Sequence, residues 1–306
     1  MFSLIIKTIF ILTSWPALFQ AGVLNEASFQ TVPQEINFPY SLGPEITAQS
    51  ALVVDLKTGE VCWEKNKEQI LSIASITKLM TSLVFLEHYQ GDWEQEVIIK
   101  EEDLIKNFSL EDKLRPVVLN LKPGEKIKIK DLFTAGLIRS ANDAMMVLGR
   151  IVETSNEKTF VNLMNEKAKE LGMKNTFFDE PTGLSINNRS TAEDLLKLVV
   201  AALKEEKISQ SLEKAFYDFS LVNIQGTRNY FRVWNTNEVL NSFVDLKWAK
   251  TGYLKESGYC FVGLSNYQEG QFVVIVLNSL TNQDRWQEIK SLVWWSQSHC
   301  QNHQSW

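Results

Sequence analysis

Strand-like segments occupy both ends of this chain and helix-like segments its middle, and that distribution limits the folds open to it. Ala51 to Leu56 and Val61 to Glu64 flank Lys57-Thr58-Gly59-Glu60, a hairpin signal. Ile76 to Tyr89 reads as a strongly apolar helix, and Gly91 to Lys130 as short strands and loops. Helical spacing recurs over Asp131 to Ile138, Asn142 to Val152, Lys158 to Leu171 and Thr191 to Lys204, with a Pro181-Thr182-Gly183 loop before the last of these. Strand patterns return at Asp218 to Asn223, Tyr230 to Trp234, Leu246 to Lys250, Tyr259 to Leu264 and Phe272 to Leu277, and a helix over about Asp284 to Ser298 closes the chain. The first hairpin and the last three strands can join in one antiparallel sheet. The helical block then forms a lobe inserted between them, with a cleft where the two meet.

The N-terminus is apolar from Met1 to Ala21 apart from Lys7. Its uncharged run from Thr8 to Phe19 has the length of a signal-peptide core rather than of a bilayer span, so residues 1–21 are predicted to be a signal peptide or an N-terminal anchor. Either reading exports the rest, to the periplasm or to the outer face of the cytoplasmic membrane, with N-terminal membrane association in the second case. Residues 22–44, polar with Pro33, Pro39 and Pro44, read as a leader, 45–298 as the catalytic domain and 299–306 as a short tail. The net charge of -6 and the scatter of Lys and Arg argue against a nucleic-acid partner. Three cysteines, Cys62, Cys260 and Cys300, leave at least one unpaired; Cys62 and Cys260 lie in apolar strand-like segments and read as small core residues. Only His88, His299 and His303 are present, without His-Glu-x-x-His, so neither a zinc site nor a Ser-His-Asp triad has material to draw on. No metal or cofactor is expected.

Three short motifs recur and must be chosen by setting. Ser-x-x-Lys occurs at Ser75/Lys78, Ser155/Lys158 and Ser211/Lys214; Ser-x-Asn at Ser140/Asn142 and Ser185/Asn187; Lys-Thr-Gly at 57–59 and 250–252. Ser75 immediately precedes the apolar helix, so Lys78 lies one turn on and on the same face. A buried lysine loses its proton more readily, and a neutral amine there can take the serine proton. The helix N-terminus adds free N–H groups near the nucleophile. Ser155 sits among charged residues at an expected helix start and reads as an N-cap, and Ser211 lies in a polar helical stretch. Lys250-Thr251-Gly252 is expected to end a strand and enter a turn. Only Ser75/Lys78, Ser140/Asn142 and Lys250/Thr251/Gly252 together give the order used by penicillin-interactive serine enzymes.

With those motifs in order the chain resembles the low-molecular-mass penicillin-binding D-alanyl-D-alanine carboxypeptidases, the S11 serine peptidases. The likeness extends through Leu119-Asn120-Leu121-Lys122-Pro123-Gly124-Glu125, Ser140-Ala141-Asn142-Asp143-Ala144, Thr182-Gly183-Leu184 and Asn235-Thr236-Asn237, and covers about residues 45 to 297. It implies an α/β fold like that of serine β-lactamases and penicillin-binding transpeptidases, with flanking helices on an antiparallel sheet and an inserted helical lobe. It implies peptidoglycan stem peptides as substrates and β-lactams as inhibitors. By the same resemblance Ser75 attacks the penultimate D-Ala carbonyl and Lys78 is the base. Ser140 and Lys250 relay protons, and Asn142 positions the substrate amide. Lys250, Thr251, Gly252 and Tyr253 line the substrate strand, and the backbone N–H groups of Ser75 and Tyr253 form an oxyanion hole. Arg285 either binds the terminal carboxylate or is a solvated arginine at a helix start.

Rival readings are a D,D-endopeptidase, a class A β-lactamase and a penicillin sensor without turnover. The β-lactamase lacks its Glu-x-x-Leu-Asn here, the nearest match being Glu193-Asp194-Leu195-Leu196-Lys197. Trp294 and Trp295, on a helix with Ile289, Leu292 and Val293, suggest packing on the sheet rather than membrane contact. No second β-rich domain is expected after the catalytic unit, a pattern that resembles the shorter members of the family, some of which are D,D-endopeptidases.

Overall fold

The structure is a computed structural model that describes residues 43–105, 116–155, 157–268 and 270–300. The expected signal or anchor, most of the leader and residues 301–306 lie outside the described residues.

Two strands, β1 (Ser50–Asp55) and β2 (Val61–Lys65), form the expected hairpin, with Gly59 supplying a positive φ of 76° in its turn. After β3 (Leu71–Ser72), a 3-10 turn over Ala74–Ile76 runs into α1 (Thr77–His88). Then come β4 (Glu96–Ile98) and β5 (Lys126–Lys128), followed by α2 (Ile129–Arg139), α3 (Asn142–Thr154) and α4 (Phe160–Glu170). The short β6 (Arg189–Ser190) pairs with β3 and leads into α5 (Ala192–Leu203) and α6 (Glu206–Leu212). The chain ends with β7 (Phe216–Val222), β8 (Arg228–Trp234), β9 (Trp248–Leu254), β10 (Gly258–Ser265), β11 (Phe272–Ser279) and α7 (Asn282–His299).

The main sheet has the order β2-β1-β11-β10-β9, and every neighbouring pair is antiparallel. It joins the first hairpin to the last three strands, as the distribution of patterns implied. Both faces are covered. Val273, Ile275 and Leu277 of β11 pack into one core with α1 and α5, whereas Val274 and Val276 pack into another with Trp286, Ile289, Leu292 and Val293 of α7. A strand buried on both sides has no reason to alternate, which is why Phe272 to Leu277 is continuously apolar. The second sheet, β4-β5-β7-β8, joins strands nearly a hundred positions apart. Its β7–β8 hairpin lies against α2, where the Tyr217 hydroxyl donates to Asp131 at 2.7 Å.

Four sequence expectations need correction. Cys62 is not a packed thiol: it is disulfide-bonded to Cys300, across 238 positions, which joins edge strand β2 to the end of α7 and draws Cys300 out of the expected tail into the fold. Cys260 alone is free and buried. Ser155 caps the C-terminus of α3, and Thr159 caps the N-terminus of α4 by accepting from the Asn162 N–H. Lys250-Thr251-Gly252 does not end a strand; it lies in the middle of β9, which runs on to Leu254. Gly252 reads as a breaker in sequence, yet here it admits a neighbouring backbone, as described below.

The disulfide closes most of the domain into one covalent loop. Cys300→Ser is expected to lower stability by roughly 2–5 kcal/mol, or about 5–15 °C in melting temperature for a domain of this size. Calorimetry of the oxidised protein and the variant would check this, and identical melting temperatures would contradict it.

Candidate active site

The nucleophile candidate is set on a backbone that the rest of the site must hold in place. Ala74, just before Ser75, has φ +46°, a left-handed conformation that costs an alanine about 1–2 kcal/mol. The Thr77 hydroxyl donates to the Ala74 carbonyl at 2.8 Å. Two glycines press against the same peptide. A Cβ at Gly183 (φ +86°) would stand 2.1 Å from the Ala74 carbonyl oxygen, and one at Gly252 would stand 2.9 Å from the Ile73 oxygen and 3.1 Å from the Ser75 nitrogen. Only glycine permits either approach. Strand β9 and the 181–185 loop thereby close on Ser75 from two sides.

Lys78 follows one turn along and is 0% exposed. Its Nζ lies 2.8 Å from Ser75 Oγ and 2.7 Å from Asn142 Oδ1, and also donates to the Thr182 carbonyl. The last two partners can only accept. A neutral amine therefore spends both its hydrogens on them and has its lone pair left for the Ser75 hydroxyl. Burial pulls the Lys78 pKa down from 10.5 to about 7, against the opposing pull of Glu180 and Asp143. The free base is thus well populated near neutrality.

Ser140 and Asn142 are placed by the junction of two helices. Ser140 ends α2 in a left-handed conformation (φ 62°, ψ 37°) and Asn142 begins α3. The adjacent Asp143 carboxylate accepts from the Leu119 N–H at 3.0 Å and the Leu121 N–H at 3.3 Å, and the Asn142 N–H donates to the Val117 carbonyl at 2.7 Å. These bonds pin residues 117–121 to the cleft wall. Burial raises the Asp143 pKa, and its backbone hydrogen bonds offset part of that rise.

Lys250 reaches in from β9, 1% exposed, and its Nζ donates to Ser140 Oγ at 2.8 Å and to the Thr251 carbonyl at 2.9 Å. Burial, then the nearby Lys78 and Arg285, hold its pKa well below the ordinary lysine value. Thr251 Oγ1 donates to Thr236 Oγ1 at 2.8 Å. Arg285 is not solvated: it is buried, its Nη1 donates to the carbonyls of Gly252 (3.3 Å) and Cys260 (3.2 Å), and its guanidinium stacks on Trp286. Burial lowers its pKa to about 10.

Ser75, Ser140, Asn142, Thr251, Gly252, Tyr253 and Arg285 all line one cleft of about 680 Å³, and Lys78 and Lys250 lie beneath its floor. The structure brings together every site residue expected from sequence. It also adds residues that sequence analysis treated only as a loop. The Glu180 carboxylate accepts from the backbone N–H groups of Thr182 (2.6 Å), Gly183 (2.6 Å) and Ser185 (3.2 Å), the Thr182 hydroxyl (2.5 Å) and the Asn188 amide (2.6 Å). It builds the loop that presents Thr182 O to Lys78. Pro181-Thr182-Gly183 was the visible signal, but nothing in its spacing pointed at Lys78. The described residues contain no group of three or more His, Cys, Asp or Glu able to hold a metal ion.

Comparison with known proteins places this arrangement. The family described as D-alanyl-D-alanine carboxypeptidase matches residues 38–281. The D-alanyl-D-alanine carboxypeptidase DacF of Bacillus subtilis is 30% identical over 84% of this chain, which spans 64% of that relative's length. A D-alanyl-D-alanine endopeptidase of Pseudomonas aeruginosa is 32% identical over 88% of the chain and 82% of its own length. Among solved structures, a Streptomyces DD-transpeptidase mutant superposes with a TM-score of 0.74 at 25% identity, covering 83% of this chain and 99% of its own. A Listeria monocytogenes penicillin-binding protein in its cefotaxime-bound form gives 0.67 at 27% identity, covering 83% and 98%. A fold with the expected sheet and helical lobe, and a family match over most of its length, make this chain a member of the D-alanyl-D-alanine carboxypeptidase family of serine peptidases.

Proposed function

We propose that the protein is an exported serine D,D-carboxypeptidase that removes the terminal D-Ala from peptidoglycan stem pentapeptides. The observation that carries this reading is the hydrogen-bond inventory of Lys78, which leaves its lone pair facing Ser75 Oγ. In this mechanism Ser75 Oγ attacks the penultimate D-Ala carbonyl as its proton passes to Lys78 Nζ. The backbone N–H groups of Ser75 and Tyr253 receive the developing oxyanion. The C–N bond then breaks, and D-Ala leaves as its amine takes a proton from the Lys78, Ser140 and Lys250 set. Water attacks the ester by the reverse path and frees Ser75.

Lys250, Thr251 and Arg285 are assigned to the substrate's terminal carboxylate. Burial, then the neighbouring Lys78 and Arg285, depress Lys250; an arriving anion opposes these effects and favours its protonated form, so binding and charging are coupled. Asn142 is assigned to the substrate amide, and the peptide to strand addition along β9, an edge of the main sheet. The Cys62–Cys300 disulfide supports an oxidising, extracytoplasmic location. The catalytic unit is assigned to the expected 45–298 extended to Cys300, and an export or anchoring role to residues 1–21. β-Lactams are assigned as inhibitors acylating Ser75.

A second reading, a D,D-endopeptidase that cuts cross-links, is favoured by one observation: three relatives named as endopeptidases are 31–33% identical to this chain, against 30% for DacF. A class A β-lactamase is disfavoured because Glu-x-x-Leu-Asn is absent and because Glu180, a carboxylate whose charge acts on Lys78, already accepts from five donors through its two oxygens.

Three outcomes are expected. Purified protein should release D-Ala from a stem pentapeptide; cleavage of cross-linked dimers alone would select the second reading. The rate of acylation by a penicillin should climb as pH rises through about 7, because Lys78, whose pKa is lowered to that value, gains its lone pair only on losing its proton. A profile flat between about pH 6 and 8 would contradict that role. Gly183→Ala should slow acylation at least about tenfold by displacing the Ser75 backbone. Gly59→Ala, with a similar positive φ but nothing within 4 Å of its added Cβ, should leave acylation unchanged. Equal effects of the two substitutions would mean that the close approach at Gly183 is unimportant.

A further inference from the structure

The β7–β8 hairpin carries a ladder of cross-strand pairs on one face: Phe216 opposite Trp234, Asp218 opposite Arg232, and Ser220 opposite Tyr230. Phe216 is 42%, Trp234 59% and Tyr230 80% exposed. The Phe216 and Trp234 rings are 5.5 Å apart, and the Arg232 guanidinium lies 4.2 Å over Phe216 while Asp218 grips it at 2.6 and 2.7 Å. Single exposed aromatics are ordinary on a protein surface, but here three stand on one sheet face, two of them in ring contact.

The chain leaves the Trp234 end of β8 directly into the catalytic cleft. Trp234 is followed directly by Asn235 and Thr236, which line the cleft, and Thr236 bonds Thr251 on β9. Within the hairpin the charges are matched, Arg232 with Asp218 and Arg228 with Glu96, and the exposed Lys126 of β5 stands on the same face opposite Val222, away from Trp234. An aromatic hairpin face whose own charges are paired suits an uncharged, hydroxyl-rich partner better than a nucleic acid or an anionic membrane. Pyranose rings have apolar C–H faces that stack on aromatic rings, and their hydroxyl and acetamido groups hydrogen-bond to flanking Arg, Asp and Ser.

We propose that the ladder face of β7–β8 is a docking platform for the glycan strand that bears the stem peptide, with Trp234, Phe216 and Tyr230 stacking on its sugar rings. The inference rests on the cleft's being the stem-peptide site. A peptide acylated at its fourth residue leaves its sugar no more than roughly 15 Å of extended chain from Ser75. The glycan must therefore lie on the cleft rim, and from Trp234 to Tyr230 the ladder covers about 13 Å of strand beside that rim.

The test compares full-length wild type with a Phe216→Ala/Tyr230→Ala/Trp234→Ala variant on insoluble peptidoglycan and on a free stem pentapeptide. The variant should lose at least about tenfold in binding to peptidoglycan and in kcat/KM on it. Its kcat/KM on the free peptide and its rate of penicillin acylation should stay within about twofold of wild type. Tyr230→Ser alone, at the most exposed position, should give a partial loss of the same kind, and retains the test if the triple variant does not fold. Equal losses on polymer and free peptide would overturn the proposal, as would unchanged binding to peptidoglycan. A change confined to self-association on sedimentation, or to binding of anionic vesicles, would overturn it in favour of another occupant. Absence of D-Ala release by wild type would sink the carboxypeptidase reading, whereas the peptidoglycan-binding comparison would still report on the platform by itself.

Discussion

The burial of two lysines beneath one cleft is the constraint on which the rest of the molecule depends. An ammonium withdrawn from water costs several kcal/mol unless an anion faces it. The polar partners of Lys78 and Lys250 are instead hydroxyls, an amide and backbone carbonyls. Such partners orient an amine without restoring its charge. In the proposed mechanism Lys78 is therefore the base near neutrality, and Lys250 the group that charges most readily when a carboxylate arrives. The carboxylates whose charge reaches Lys78, Glu180 and Asp143, are each occupied by several donors and act on it only through space.

Holding two amines in this way requires three parts of the fold to meet closely. The edge strand β9 brings Lys250, the α2–α3 junction brings Ser140 and Asn142, and the 181–185 loop brings Thr182 O. Gly183 and Gly252 permit two of these contacts, since any side chain at either would collide with the Ile73–Ser75 backbone. The main sheet is rigid because both its faces are covered, and the disulfide from β2 to the end of α7 fixes one of its layers. The site thus sits on elements that do not need to move in order to react.

Much of this was legible in the sequence, and the rest was hidden for identifiable reasons. The i, i+3 spacing of Ser75 and Lys78 before an apolar helix specified their contact, and motif order selected Ser140, Asn142 and Lys250 from their duplicates. Gly252 misled because a glycine in a strand resembles a stop, although here it marks backbone meeting backbone. Arg285 lies among polar residues at a helix start, and only the tertiary fold turns it toward the carbonyls of Gly252 and Cys260. Cys62 and Cys300 were visible as cysteines, but an odd count does not choose a pair. Glu180 acts through a loop without periodicity, so pattern alone could not single it out. The pairing of β4 and β5 with β7 and β8 joins distant segments whose patterns say nothing about partners.

In the proposed mechanism Ser75, and no other hydroxyl, forms the acyl-enzyme. The most direct measurement is mass-spectrometric mapping of the protein after brief reaction with a penicillin and tryptic digestion. A single penicilloyl adduct on the Glu68–Lys78 peptide, localised by fragmentation to Ser75, is the expected result. An adduct on Ser72 of that peptide, on Ser140, or on Ser155 or Ser211 would contradict the account.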